Sequence, residues 1–251
     1  MRADTHYVDQ LSSRRGERGS TDPHASPSRT PENFGDRTQQ LLAQLVESVA
    51  SIGSAADLLG GQQSAMARRV HVDLIRAHAA RASWLLKVNA IVQSPQGHRA
   101  RPRPLGFLLG QIRTALAAEC RLTRAELHVQ ASDWNAVVPI DESSVIAGVI
   151  GAVHATLGIV DHGDRATIKI SALTSGGQLR SIDVTQDDVT VTEAASRGFD
   201  DGSWTGEPGA WDGGVGVAAA KAVAHQHGGD ALFLLSERGG STIRLTFSRA
   251  N

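Results

Sequence analysis

Apolar positions in the first third of the chain follow a helical rhythm. Leu42, Leu45, Val49, Ile52, Ala56 and Leu59 recur at alternating steps of three and four, the seam of a helix that packs on others in a near-parallel bundle. Asp36 or Thr38 can cap its start, and Gly60-Gly61 breaks it. A second helix is expected over residues 64–92, with Val70, Leu74, Ile75, Ala77, Ala82, Trp84, Leu85, Val88 and Ile91 on a broad apolar face. Two long helices joined by a short turn make an antiparallel hairpin. One hairpin cannot hide so wide a face alone, so a two-fold dimer forming a four-helix bundle is expected.

The rhythm changes after residues 93–104, QSPQGHRARPRP, a basic, proline-rich stretch that reads as a linker. Beyond it the pattern predicts a helix over 105–119, a strand over 125–130 and a helix over 141–157. Two strands over 165–173 and 179–185 meet at Ser175-Gly176-Gly177. Residues 187–212 show no period. The closing stretch, 211–247, reads as a glycine loop (Gly213, Gly214, Gly216), an apolar helix stopped by His227-Gly228-Gly229, and a strand hairpin. Glycines leading into a helix give the backbone freedom for a tight bend, and the first free N–H groups can face an anion. The class is α+β: an N-terminal helical hairpin followed by an α/β sandwich with helices on one side of a mixed sheet. The expected boundaries are a disordered tail at 1–36, the hairpin at 37–94, the linker at 95–104 and the second domain at 105–251.

Composition narrows the function. The 251 residues include 41% hydrophobic ones, enough for a real core, but only 4% aromatic ones. A formal charge of −1 gives no net attraction to nucleic acid or an anionic membrane. The single cysteine, Cys120, excludes an internal disulfide framework and fits a reducing cytoplasm. The pattern offers no apolar run that approaches the ~20 residues needed to span a bilayer, so a cytoplasmic protein without membrane insertion is expected.

The closing glycine loop, apolar helix, His-Gly-Gly stop and hairpin resemble the C-terminal end of the ATP-binding domain of bacterial sensor histidine kinases. Gly214 and Gly216 match the family's second glycine box. Hairpin, linker and α/β sandwich, over roughly residues 38–251, resemble the whole kinase core. The resemblance implies a phosphoacceptor histidine on the first hairpin helix, with the matching position near Ala43 to Glu47, but DRTQQLLAQLVESVASIGSAADLL contains none. It implies an asparagine for Mg²⁺ on the helix around 145–154, where the two matching positions are Ala147 and Gly151. Neither side chain offers the oxygen a hard cation demands. His154, on the same helix, is expected to play a helix-surface role. The adenine-reading aspartate falls at Asp187, followed by Asp188 where the family has glycine. Two carboxylates beside a triphosphate without its metal ligand oppose binding, so no cofactor is expected, neither ATP nor Mg²⁺.

A histidine-kinase architecture with an eroded nucleotide pocket resembles the dimeric histidine phosphotransferases of the ChpT type, and Gly206-Glu207-Pro208 is similar too. This implies a dimeric two-component signalling adaptor that binds a response-regulator receiver domain or a histidine kinase. His71 and His78, both on the second helix, are the hairpin's candidate phosphoacceptors, although a histidine on such a stripe is more often a packed core residue. Two alternatives stand beside it: an active sensor histidine kinase with atypical motifs, and an unrelated structural dimer whose glycine loop is only a turn.

Overall fold

A computed structural model describes residues 32–61, 64–93, 100–159, 165–187, 198–199, 214–236 and 240–248. The expected tail falls largely outside these, as do residues 94–99 of the linker, Gly206-Glu207-Pro208, Gly213 and Asp188. The first helix, α1 (Glu32–Leu59), begins at Glu32, several residues before the expected cap. It turns at Gly60-Gly61 into α2 (Ala65–Gln93), where the Ser64 hydroxyl accepts the Ala67 N–H and so satisfies one orphan donor of the first turn.

The face of α1 that meets its own hairpin partner is rotated from the expected seam. Leu41, Ser48 and Ala55 are buried and Leu45 packs against the core, whereas Leu42, Val46 and Val49 are exposed. Among the second-helix positions, Ala77, Trp84, Leu85, Val88 and Ile91 are buried as expected, and Val70 is exposed. The window Leu41–Leu59 of α1 is 19 residues long and apolar enough, by length and composition, to cross a membrane. This corrects the expectation that no run approaches that length; one side of the helix packs along α2.

The linker is also corrected. Its last four residues form β1 (Arg101–Pro104), which pairs antiparallel with β3 (Val137–Ile140) in a two-stranded sheet. Pro102 lies opposite Pro139, a tolerable match in a two-stranded sheet because prolines need no ladder partner for a missing N–H. The remaining elements come in the expected order: α3 (Leu105–Leu122), β2 (Glu126–Ala131), α4 (Glu142–Leu157), β4 (Thr167–Ser175), β5 (Gln178–Gln186), α5 (Val215–Gln226), β6 (Ala231–Leu235) and β7 (Ser241–Thr246).

Five strands form one sheet in the order β2-β4-β5-β7-β6, with β2 parallel to β4 and the other pairs antiparallel. Gly176 and Gly177 both take positive φ, +61° and +70°, which suits the two-residue turn between β4 and β5. The inner face, with Ile168, Ile170, Ile182, Val184, Ile243 and Leu245, is buried beneath the helices. The outer face is mostly polar, with Leu173, Leu232 and Leu234 exposed among the polar residues, and there Arg244 forks onto Asp183 with bonds of 2.9 and 2.7 Å. At the end of α5, Gly228 takes φ +70° and the Gly229 N–H reaches back to the Ala224 carbonyl at 2.9 Å, a left-handed helix stop. A Cβ on Gly229 would come within 1.9 Å of the Thr246 carbonyl oxygen.

The hairpin and the α/β layer share buried apolar contacts. Leu41, Trp84, Leu85, Val88 and Ile91 belong to the same buried cluster as α3, α4 and the sheet.

Candidate functional site

Helix α4 is the element on which the site depends. Asp141 caps it, its carboxylate accepting from the Ser143 and Ser144 N–H groups at 3.0 and 3.2 Å. Every residue from Ser144 to Leu157 is buried, which fits a helix that is apolar on all sides. Small residues allow a close approach by α5. A Cβ on Gly148 would meet the branched Val223 side chain at 2.8, 2.9 and 3.1 Å, and one on Gly151 would meet the Gly216 carbonyl oxygen at 2.7 Å and the Ala219 Cβ at 3.0 Å. Ala147 is fully buried, and its carbonyl accepts the Trp84 indole N–H at 2.8 Å. Of the two positions matched to magnesium-binding asparagines, Gly151 thus faces α5, and Ala147 has its carbonyl bonded from the hairpin.

Gly214 takes φ +91° ahead of α5, so a left-handed residue starts the helix and glycine is the natural occupant. Gly216 is buried against Gly151. Asp187 is exposed just past the end of β5, where its Cα and Oδ1 lie close to Gly240 at the entry to β7. A cavity of about 560 Å³ lies elsewhere, between α2, β1, α3 and the first turn of α4. Lys87, Arg101, Gln111 and a Glu142 held by Arg103 at 2.8 Å are among the residues around it. None of its lining residues is Gly214, Gly216 or Asp187.

The candidate phosphoacceptors lie half-buried along one flank of α2. Burial and the nearby Arg81 hold the His78 imidazole below the usual histidine range, while the carboxylates of Glu47 and Glu119 pull it up. His78 thus stands near Glu47 of α1, at the level of the hairpin where the kinase resemblance puts the acceptor. Arg81, one turn on, is buried and donates to the Gln44 amide oxygen at 3.4 Å. His71 lies two turns before His78.

His154 is not a helix-surface residue. It is 1% exposed, and its Nε2 stands 2.8 Å from a Glu119 carboxylate oxygen that is itself buried. Trp84 meets the His154 ring edge-on at 4.5 Å. Nor did the sequence reveal three further features. Arg121 forks onto the buried Asp73 with bonds of 3.0 and 2.7 Å, holding that carboxyl below the ordinary aspartate range. Cys120, buried and close to Glu119, has its thiol pushed up to about 12, so it is no nucleophile in the folded chain. Lys221 donates to the Phe199 carbonyl and lies 4.6 Å over that ring, which stacks in turn on Phe233 at 5.5 Å. Among the described residues no group of three or more His, Cys, Asp or Glu is placed to hold a metal ion.

No protein-family model matches this chain, and no curated protein does. Solved structures do. A bacterial phosphotransferase solved at 1.7 Å aligns over 86% of this chain and 96% of its own, at 12% identity and a TM-score of 0.52. Full-length ShkA, solved with AMPPNP, aligns over 88% of this chain and 47% of its own, at 13% identity and a TM-score of 0.51. The catalytic domain of the histidine kinase ThkA aligns over 59% of this chain at 13% identity and a TM-score of 0.49. The fold is therefore mixed α+β of the histidine-kinase type, a helical hairpin followed by the ATPase-like α/β layer.

Proposed function

We propose that this chain is a two-component signalling protein that has given up the nucleotide reaction and acts as a dimeric, phosphotransferase-like adaptor for a receiver domain or a histidine kinase. The observation that carries the reading is the contact of α4 with α5. Where a magnesium-binding asparagine would have to grow from position 151, the Gly216 carbonyl already stands 2.7 Å from the first carbon of any side chain. Position 147 is fully buried, and its backbone carbonyl is already taken by the Trp84 indole. A hard cation bridging triphosphate oxygens would find no side-chain oxygen from positions 147 and 151 to hold it there.

His78 is the better acceptor candidate than His71. Burial and Arg81 favour its neutral form, the nucleophilic one, and Glu47 stands near it from α1. In the step proposed, the unprotonated ring nitrogen attacks the phosphorus of an aspartyl phosphate on the partner. The N–P bond forms as the P–O bond breaks, and the aspartate leaves as carboxylate; Mg²⁺ comes with the partner. The dimer of this reading would bring two copies of α1 together through Leu42, Val46 and Val49, which are left exposed within one chain.

The test is transfer from a panel of receiver domains charged with acetyl phosphate and Mg²⁺. Acid-labile label should pass to the protein, survive in His71→Gln and vanish in His78→Gln. Calorimetry with ATP and Mg²⁺ should give no heat. Micromolar ATP binding, about −8 kcal/mol, would overturn the reading and favour an active kinase with atypical motifs; absence of label from every receiver would remove phosphotransfer.

A further inference from the structure

The basic stretch that reads as a linker ends in a strand with one cationic face. Side chains alternate along a strand, so Arg101 and Arg103 of β1 lie on the same side, about 7 Å apart along it, and Pro102 and Pro104 on the other. Both arginines line the cavity of about 560 Å³, and Lys87 of α2 lines it too. Two carboxylates stand among these three cations, but each is already engaged. Asp141 Oδ1 accepts the Ser143 and Ser144 N–H groups, so the start of α4 is capped from within. Glu142 has one oxygen 2.8 Å from Arg103 Nε, and the other accepts the Gln111 amide at 2.5 Å. Lys87 and Arg101 have no carboxylate partner among the described residues. Arg103 is held from its Nε side alone, which orients the guanidinium and leaves its paired Nη groups for an anion. Ile140 and Ile146, both buried, give the same cavity an apolar wall.

We propose that this cavity binds a small phosphate monoester. A carboxylate has two oxygens, and one guanidinium fork satisfies both. A phosphate monoester carries close to two charges and three terminal oxygens, enough to engage the Arg103 fork together with the point charges of Lys87 and Arg101. The organic body of the ester rests on Ile140 and Ile146, and the volume falls in the range of about 300–1,000 Å³ usual for small-molecule sites. The site does not depend on the phosphotransfer reading, since none of His78, Ala147, Gly151 and Gly216 lines it.

The experiment is calorimetric titration of the full chain at low salt with three probes: phenyl phosphate, inorganic phosphate and benzoate. Phenyl phosphate should bind with a dissociation constant on the order of 1 mM or tighter, several-fold tighter than inorganic phosphate, which lacks the apolar body, and than benzoate, which lacks the second charge. Lys87→Gln and Arg101→Gln should each weaken it several-fold with a cooperative melt retained, and Arg103→Lys, which keeps the charge and loses the fork, should do the same. Lys169→Gln removes an exposed cation from β4, outside the cavity, and should change nothing. If phenyl phosphate gives no saturable heat, if the Lys87 and Arg101 variants bind it as the unaltered protein does, or if Lys169→Gln weakens it as much as they do, the site is wrong. If benzoate or inorganic phosphate binds as tightly as phenyl phosphate, the assignment to a phosphate monoester falls.

Discussion

The contact between α4 and α5 can be tested by adding one carbon at a time. Glycine inside a helix costs about 0.5–1 kcal/mol relative to alanine, so Gly→Ala stabilises wherever the added methyl meets nothing. Gly110 in α3 is such a position, with no heavy atom within 4 Å of a built Cβ. Gly110→Ala should therefore raise the melting temperature by about 1–4 °C, given roughly 2–4 °C per kcal/mol for a chain of this size. At Gly151 the same methyl meets a backbone carbonyl at 2.7 Å, which cannot rotate away as a side chain can, and a second methyl at 3.0 Å. Overpacking of this kind typically costs 1–3 kcal/mol. Set against the helix-propensity gain, it leaves a net loss of about 0–2.5 kcal/mol for Gly151→Ala, a fall of up to about 10 °C. Gly148→Ala, facing three atoms of Val223, should behave alike. Gly151→Asn, the change that would formally restore a cation ligand, adds a buried amide worth a further ~1–3 kcal/mol if unpaired, and should lower stability more while conferring no ATP binding. Melts followed by circular dichroism on the four variants decide the matter. A Gly151→Ala protein that melts with or above Gly110→Ala would mean the helices are not in contact there, and the argument for a closed pocket would go with it.

Three other outcomes follow from the described contacts. Asp73 has its carboxyl held low by the Arg121 hydrogen bonds, then by the charges of Arg121, Arg76 and Arg69, against burial; a depressed folded value means stability present above about pH 4 and lost as pH falls further, so the urea midpoint of Asp73→Asn should fall less between pH 5 and pH 3 than that of the unaltered protein. The Cys120 thiol, pushed up to about 12 by burial first and by Glu119 second, should react with Ellman's reagent at pH 8 only as fast as the protein opens, and prompt reaction would show it is not sealed. Val46 is 68% exposed at the middle of the outer face of α1; Val46→Glu should turn a dimer into a monomer by sedimentation without lowering the circular dichroism signal, and a protein already monomeric at high concentration would remove the bundle.

What could be read from the sequence, and what could not, divides along physical lines. The order of elements was legible because the chain marks its own ends: Gly60-Gly61, Gly176-Gly177 and Gly228-Gly229 all sit where helix or strand must stop. The face of α1 was not. Apolar or small residues recur at helical spacing along both the 41, 45, 48, 55 stripe and the 42, 46, 49, 56 stripe, so periodicity alone identifies a helix with two faces and not which one its own partner takes. Ser48 is buried and Gln44 half-buried, its amide oxygen accepting from Arg81 of α2, a choice made by tertiary packing. The short β1–β3 pair was hidden by its prolines, which look like a linker locally and become tolerable only once the two strands lie side by side. The burial of His154 follows from its helix. A helix as uniformly apolar as 144–157 has no solvent side, so any histidine on it must be buried, and a buried imidazole needs a partner. That partner, Glu119, lies 35 residues earlier on a different helix, with no local signal to name it. Residues whose roles depend on such distant pairing, Trp84, Glu119 and His154 among them, join the hairpin to the α/β layer, so the feature that decides whether this chain moves as one body or two is the one that its sequence conceals best.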